Sequence, residues 1–148
     1  MRWIYKVGLA AERNGRLLVA RKRGSGIFIL PGGKPEGDES DLQTLSREIH
    51  EELGCGIEKL NLRGIFTDVA AGTSDAVVVV RLYSGQLVGD PHPCSEIEEL
   101  AWVDIRRPTL RLAPSIKNGI LPFLRKKGRS SSRAQRIDDA QQGALKIV

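Results

Sequence analysis

Residues 32–55 read GGKPEGDESDLQTLSREIHEELGC and carry Glu36, Glu39, Glu48, Glu51 and Glu52. Carboxylates in that number serve one of two ends. They hold a hard divalent cation through oxygen ligands, or they form a solvated acidic face. Glu48, Glu51 and Glu52 stand at i, i+3 and i+4, so on a helix turning about 100° per residue they share one face. Like charges at that spacing repel, and the arrangement costs stability unless something positive balances it. On the glutamates alone a charged helix face is the commoner of the two readings.

The elements that must position these residues follow from pattern. Trp3 to Ala11 is apolar and rich in strand formers, Asn14-Gly15 is a hairpin signal, and Arg16 to Arg21 resumes the strand. Ile27 to Leu30 reads as a short strand that Pro31-Gly32-Gly33 ends. Ser40 with Gln43 three residues on fits a capping box. Leu42, Leu45, Ile49 and Leu53 then make one apolar helix face, and Gly54 stops the helix. Strands are expected over 57–69, 76–83 and 100–105, with a turn at 71–75 and a loop over 85–95. Residues 114–124 read as a second helix, with Pro114 in its first turn and Pro122 placed to shorten or kink it. The pattern is one mixed sheet with helices packed on it.

The spacing of the acidic stretch is Gly33, five residues, Glu39, seven residues, Arg47, Glu48, Ile49, one residue, Glu51, Glu52, one residue, Gly54, Cys55. It resembles the Nudix box, G-x5-E-x7-R-E-U-x-E-E-x-G-U with U aliphatic. Every fixed position matches, and Cys55 replaces the last aliphatic residue with a small apolar one. ILPGGK at 29–34 and EIEELAWVD at 96–104 extend the resemblance on either side. It implies an α/β fold, a Nudix-type α/β/α sandwich around a mixed β-sheet, over residues 1–126, followed by a basic tail at 127–148.

The resemblance also implies an activity, metal-dependent hydrolysis of the pyrophosphate linkage in a nucleoside diphosphate derivative, with Mg²⁺ or Mn²⁺ as cofactor. Glu51 and Glu52 are then metal ligands, and Glu48 is a third ligand or the base that orients water. Gly33 offers a backbone carbonyl to the metal or permits the tight approach of loop to helix, Arg47 fixes a glutamate rotamer, and Glu39 braces the loop. Glu96 is the expected acid from outside the box, with Glu98 and Glu99 as rivals. Arg23, Lys34 and Gly8 are the candidate substrate contacts. His50 reads as a surface residue, His92 as a loop residue able to approach substrate, and Phe28 and Phe66 as core or base-stacking. The proline or tyrosine that marks two family subgroups shortly past the box is absent, since Val69 to Gly72 stand there. A nucleoside triphosphate, modified or not, is the expected substrate. The alternatives are a non-catalytic nucleotide-sensing module and a hydrolase of RNA ends or of other nucleoside diphosphate compounds.

Composition narrows the classes. The 148 residues are enough for one domain with a real core, and no apolar run is long enough to span a membrane. Cys55 and Cys94 lie far apart and form no CxxC pair, which suits reduced thiols in a cytoplasmic protein. The net charge of +5 is localised: residues 1–124 hold 16 Lys/Arg and 16 Asp/Glu, whereas 125–148 hold seven and two. A body without net charge is not an electrostatic nucleic-acid surface, so contact with nucleic acid is expected only through the tail. Both a monomer and a homodimer fit the composition.

Overall fold

The computed structural model describes residues 1–127, and from residue 128 onward the expected tail lies outside the described residues. Nine elements are named in order: β1 Arg2–Ala10, β2 Glu12–Arg13, β3 Arg16–Lys22, β4 Phe28–Ile29, β5 Gly32–Gly33, α1 Asp41–Leu53, β6 Gly56–Val69, β7 Ala76–Val88 and β8 Ile97–Asp104. A closing helical segment, α2, runs over 114–127 and contains a π-helical turn at Ile116–Ile120.

The strands divide between two sheets rather than forming one. The mixed sheet has the order β5-β1-β7-β6, with β1 parallel to β7 and the other pairs antiparallel. The second sheet is antiparallel, with β2, β4 and β8 all paired to β3. The β2–β3 hairpin turns through Asn14 and Gly15, both with positive φ (52° and 74°), the geometry that a two-residue turn needs to match strand twist.

Helices cover both sides. On one side Leu45, Ile49 and Leu53 of α1 pack on Val7, Leu9 and Leu18. On the other, Ile116, Ile120, Leu121 and Leu124 of α2 pack on Leu17, Val19, Leu82 and Val103. Leu17, Leu18 and Val19 are consecutive and fully buried, because β3 has a core on each face and no solvent side to alternate toward. This is the α/β/α sandwich around a mixed sheet expected above.

Several expectations needed adjustment. Gly32-Gly33 does not simply end a strand; it is one, pairing Val7↔Gly33 and Gly8↔Gly32. Leu42 is 51% exposed rather than part of the apolar face, and Thr44 and Glu52 of the same helix are buried instead. β7 continues through Val88 into the expected loop. Pro122 does not shorten α2, and the distortion expected of it is a π-turn just before it. Its missing N–H and its ring are accommodated by the wider turn just before it, where the Leu121 N–H bonds back to Ile116 O. The outward face of the mixed sheet is partly bare, with Trp3 55% and Tyr5 59% exposed on β1.

Candidate active site

The loop and helix of the acidic stretch are fixed by local rules. Ser40 caps α1 in full capping-box geometry: its hydroxyl accepts from Gln43 N–H, and Gln43 Oε1 accepts from Ser40 N–H at 2.8 Å. Gly54 ends the helix in the left-handed conformation, φ 66°. Between these caps α1 lies against β5, and two contacts lock them together. Glu52 Oε1 accepts the Gly32 N–H at 2.9 Å. The Glu48 carboxyl lies so close to Gly33 that a Cβ there would stand 2.5 Å from its Cδ. Gly32 has φ 138°, and a Cβ on it would meet Val7 O, so only glycine brings this strand close enough.

Arg47 organises the carboxylates. Its Nε donates to Glu39 Oε2 at 2.8 Å and its Nη2 to Glu39 Oε1 at 2.9 Å, a bidentate pair. Its Nη1 donates to Glu48 Oε1 at 2.9 Å, and Nη2 also reaches the Lys34 carbonyl. Glu36 and Glu51 stand 3.5 Å from Nη1. Glu39 thus spends its oxygens on Arg47, the Glu36 N–H and the Thr44 hydroxyl, which is the loop-bracing role expected of it. Hydrogen bonds from Arg47 and the Glu36 backbone lower its pKa to about 2. The glutamates hold the Arg47 guanidinium charged, far above any accessible pH.

The remaining carboxyls behave oppositely. Burial pushes Glu52 up to about 7, against the Gly32 N–H bond, and the Glu48 charge adds to the rise. Burial also raises Glu48, opposed by Arg47 and reinforced by Glu51 and Glu96. Glu51 is half exposed. Among the described residues no group of three or more His, Cys, Asp and Glu side chains is drawn together as a formed metal site. The donor chemistry nevertheless fits a hard divalent cation. It is all oxygen, and the Glu48 and Glu52 carboxyls are held against their preference for water, with Arg47 paired to Glu48 alone of the two.

Of the other expected residues, Glu96 is exposed and stands 3.7 Å from Lys22, and its charge is felt by both Glu48 and Glu52. Glu98 and Glu99 pair with Arg21 instead. Lys34 and Arg23 are exposed; Arg23 meets Glu96 only through its backbone N–H. Gly8 lines a cavity of about 170 Å³ together with Gly32 and Gly33. A Cβ at Gly8 would stand 3.1 Å from Leu30 and Val80. His50 is exposed, and His92 bonds the Leu53 carbonyl through its N–H, which ties the loop to the end of α1. Phe28 is 6% exposed in the core, and Phe66 packs edge-on against Phe123 at 5.5 Å, so neither ring is free to stack a base.

Lys6 was not anticipated. It lines the same cavity as Gly8 and is lowered in pKa by burial, then by Lys22 and Lys34, with Glu52 and Glu48 opposing. The signal was present: Ile4, Lys6 and Gly8 alternate onto one face of β1, and a lysine inside an apolar strand calls for a partner.

The site is thus a glutamate-bearing loop and helix of an α/β protein, held against a mixed sheet with a cavity opening beside it. A model of the NUDIX domain matches residues 6–125. Among curated proteins, the Uncharacterized Nudix hydrolase YvcI of Bacillus subtilis (strain 168) is 31% identical over 123 residues, 78% of this chain and 75% of that one. The CTP pyrophosphohydrolase of Escherichia coli (strain K12) is 41% identical over 58 residues, 36% of this chain and 43% of that one. The crystal structure of the MutT NUDIX hydrolase from Burkholderia pseudomallei superposes with a TM-score of 0.66 at 26% identity, covering 76% of this chain and 91% of that one. This chain belongs to the Nudix hydrolase family. Its matches span less than half the length of two of the curated relatives, 42% and 43%.

Proposed function

We propose that the protein hydrolyses the pyrophosphate linkage of a nucleoside diphosphate derivative, with a nucleoside triphosphate, modified or not, as substrate. The observation that carries this reading is the locked loop–helix unit, with Glu52 on the Gly32 N–H and Glu48 against Gly33 beside a cavity. The similarity to a CTP pyrophosphohydrolase supports a triphosphate substrate.

A bound Mg²⁺ or Mn²⁺ neutralises phosphate charge and lowers the pKa of water. Glu51 and Glu52 would hold it, with the Gly33 carbonyl and Glu96 as further oxygen donors. Glu48 has two available roles, further ligand or proton acceptor; its raised proton affinity suits the second. Arg47 is a positioning residue that holds Glu48 in one rotamer from the Glu39 side. Gly8 leaves room on the cavity wall, and Lys6 supplies a cation there for the phosphate chain. Arg23 and Lys34, both exposed, would add positive charge for the same anion.

The test is a panel of nucleoside di- and triphosphates, sugar nucleotides, dinucleoside polyphosphates and triphosphate-ended RNA, with either metal, reading the phosphorus products. Release of pyrophosphate and a nucleoside monophosphate from a triphosphate is expected. Cleavage of none of the panel by a folded protein overturns the reading, and cleavage of RNA ends alone moves the substrate to that class.

A further inference from the structure

A second concavity, of about 500 Å³, shares no lining residue with the cavity beside the glutamates. The parallel strands β1 and β7 stop pairing at Ala10 and Ser84, and this pocket opens where they part. Ends of parallel strands are where open α/β sheets receive ligands. Its charged lining is Arg13, Lys59, Arg63 and Lys127 against one acid, Glu12.

Among the described residues those cations outnumber the acid beside them and form no close ion pair. Among the described residues, all ion pairs within 4.0 Å involve Arg21, Lys22, Arg47 or Arg81, and none involves these four. Two are instead held in place. Arg63 Nε donates to the Ser84 hydroxyl at 2.8 Å, and the Arg13 guanidinium lies 5.2 Å over the Trp102 ring. Burial and then the Arg63 charge lower the Lys127 pKa, and burial raises that of Glu12 against the pull of Lys127 and Arg63. Residues 1–124 contain equal numbers of acidic and basic side chains, so this excess is local, and it lines a hollow rather than a convex face. Pinned guanidinium groups with two lysines in the same lining suit phosphate oxygens.

We infer that this pocket is a second, non-catalytic anion site that takes phosphate groups, from a free polyphosphate or from the backbone of a single-stranded RNA. Positive charge also continues in the sequence past Lys127 at Arg129, Arg133 and Arg136.

The test reads binding of inorganic triphosphate and of a short fluorescein-labelled single-stranded RNA to the full chain in EDTA, which withholds the divalent cation from the catalytic glutamates. Lys59→Ala/Arg63→Ala is compared with wild type, with Lys127→Ala as a second variant in case the first does not fold. Wild type is expected to bind at least one probe. The double variant is expected to lose about tenfold in affinity, and for RNA the slope of log K against log salt is expected to fall by about 1.4 for two lost phosphate contacts. Loss confined to triphosphate assigns a small polyphosphate, and a shallower salt slope assigns the strand. Nucleotide hydrolysis is expected to be unchanged in these variants. No binding by wild type, equal binding by both variants, or hydrolysis lost in step with binding overturns the inference. Because binding is read without turnover, an inactive wild type leaves the result standing.

Discussion

The Glu52 carboxyl belongs to a residue 2% exposed and accepts one hydrogen bond, from Gly32 N–H, so its charge is held where burial penalises it. Its pKa is about 7 in the fold against 4.5 unfolded. Between those values the native state binds more protons than the unfolded chain, so Glu52 makes stability fall as pH rises, and the penalty is complete above about 7. In EDTA, Glu52→Gln is therefore expected to be more stable than wild type at pH 8 by about 2 kcal/mol, with the gap closing toward pH 4.5, while losing turnover. Thermal melts across pH check this; a gap that does not vary with pH refutes the account. Arg47 is the second residue to probe. A lysine keeps its charge but not the fork that spans Glu39 and Glu48. Arg47→Lys is expected to lower kcat by about 10- to 100-fold with a smaller change in KM, measured by steady-state kinetics. That Arg47, Glu48 and Glu52 fall in one cluster was legible because the box spacing is specific. Their unequal environments were not, since spacing places three glutamates on one helix but does not tell which one meets a backbone N–H. Leu42 shows the same limit from the other side. Its spacing fits the apolar stripe, yet α1 begins at Asp41, which reaches sideways to Arg81 and to the Tyr83 hydroxyl, and Leu42 is left in solvent.

Short elements were the hardest to see and have the strictest requirements. Gly32-Gly33 shows no alternation because it has no side chains, so the sequence reads as punctuation; the same lack of Cβ lets it pair with β1 and carry the Glu52 contact. Gly32→Ala is expected to cost 2 kcal/mol or more, roughly, from positive φ and the collision with Val7 O, and urea unfolding measures it. Ser40→Ala, which removes only the cap of α1, is expected to cost about 1 kcal/mol and to leave metal-dependent turnover within a few-fold of wild type. Turnover falling as steeply as in the Glu52 variant would show that the cap does more than hold the helix. The capping box and the Asn-Gly turn were read correctly because each is a local rule with a local partner. Pro122 was read as shortening or kinking the helix; the helix is not shortened, and the distortion falls in the π-turn at Ile116–Ile120 just before it, where Gly119 lies against Phe66.

At the scale of the molecule, the two-sided sandwich follows from β3, whose run of buried residues needs a core on each face. The division into two sheets was hidden, because strand pairing joins β3 to β8 across most of the chain and no local pattern announces it. The described clusters close at Leu124 of α2. A chain ending at residue 127 is therefore expected to unfold cooperatively with a Tm close to that of the full chain and to keep its hydrolytic activity, checked by calorimetry and the nucleotide panel. Among the described residues, no helix is long and apolar enough to cross a membrane. The two tryptophans end up in opposite settings: Trp3 on the bare face of the mixed sheet, Trp102 under the Arg13 guanidinium at the cationic pocket. In optical terms the fold carries its own pair of probes, one open to collisional quenchers and one stacked beneath a guanidinium in a cationic pocket. An anion drawing Arg13 away changes the second and leaves the first as an internal reference, so occupancy of the pocket can be followed by intrinsic fluorescence without any label.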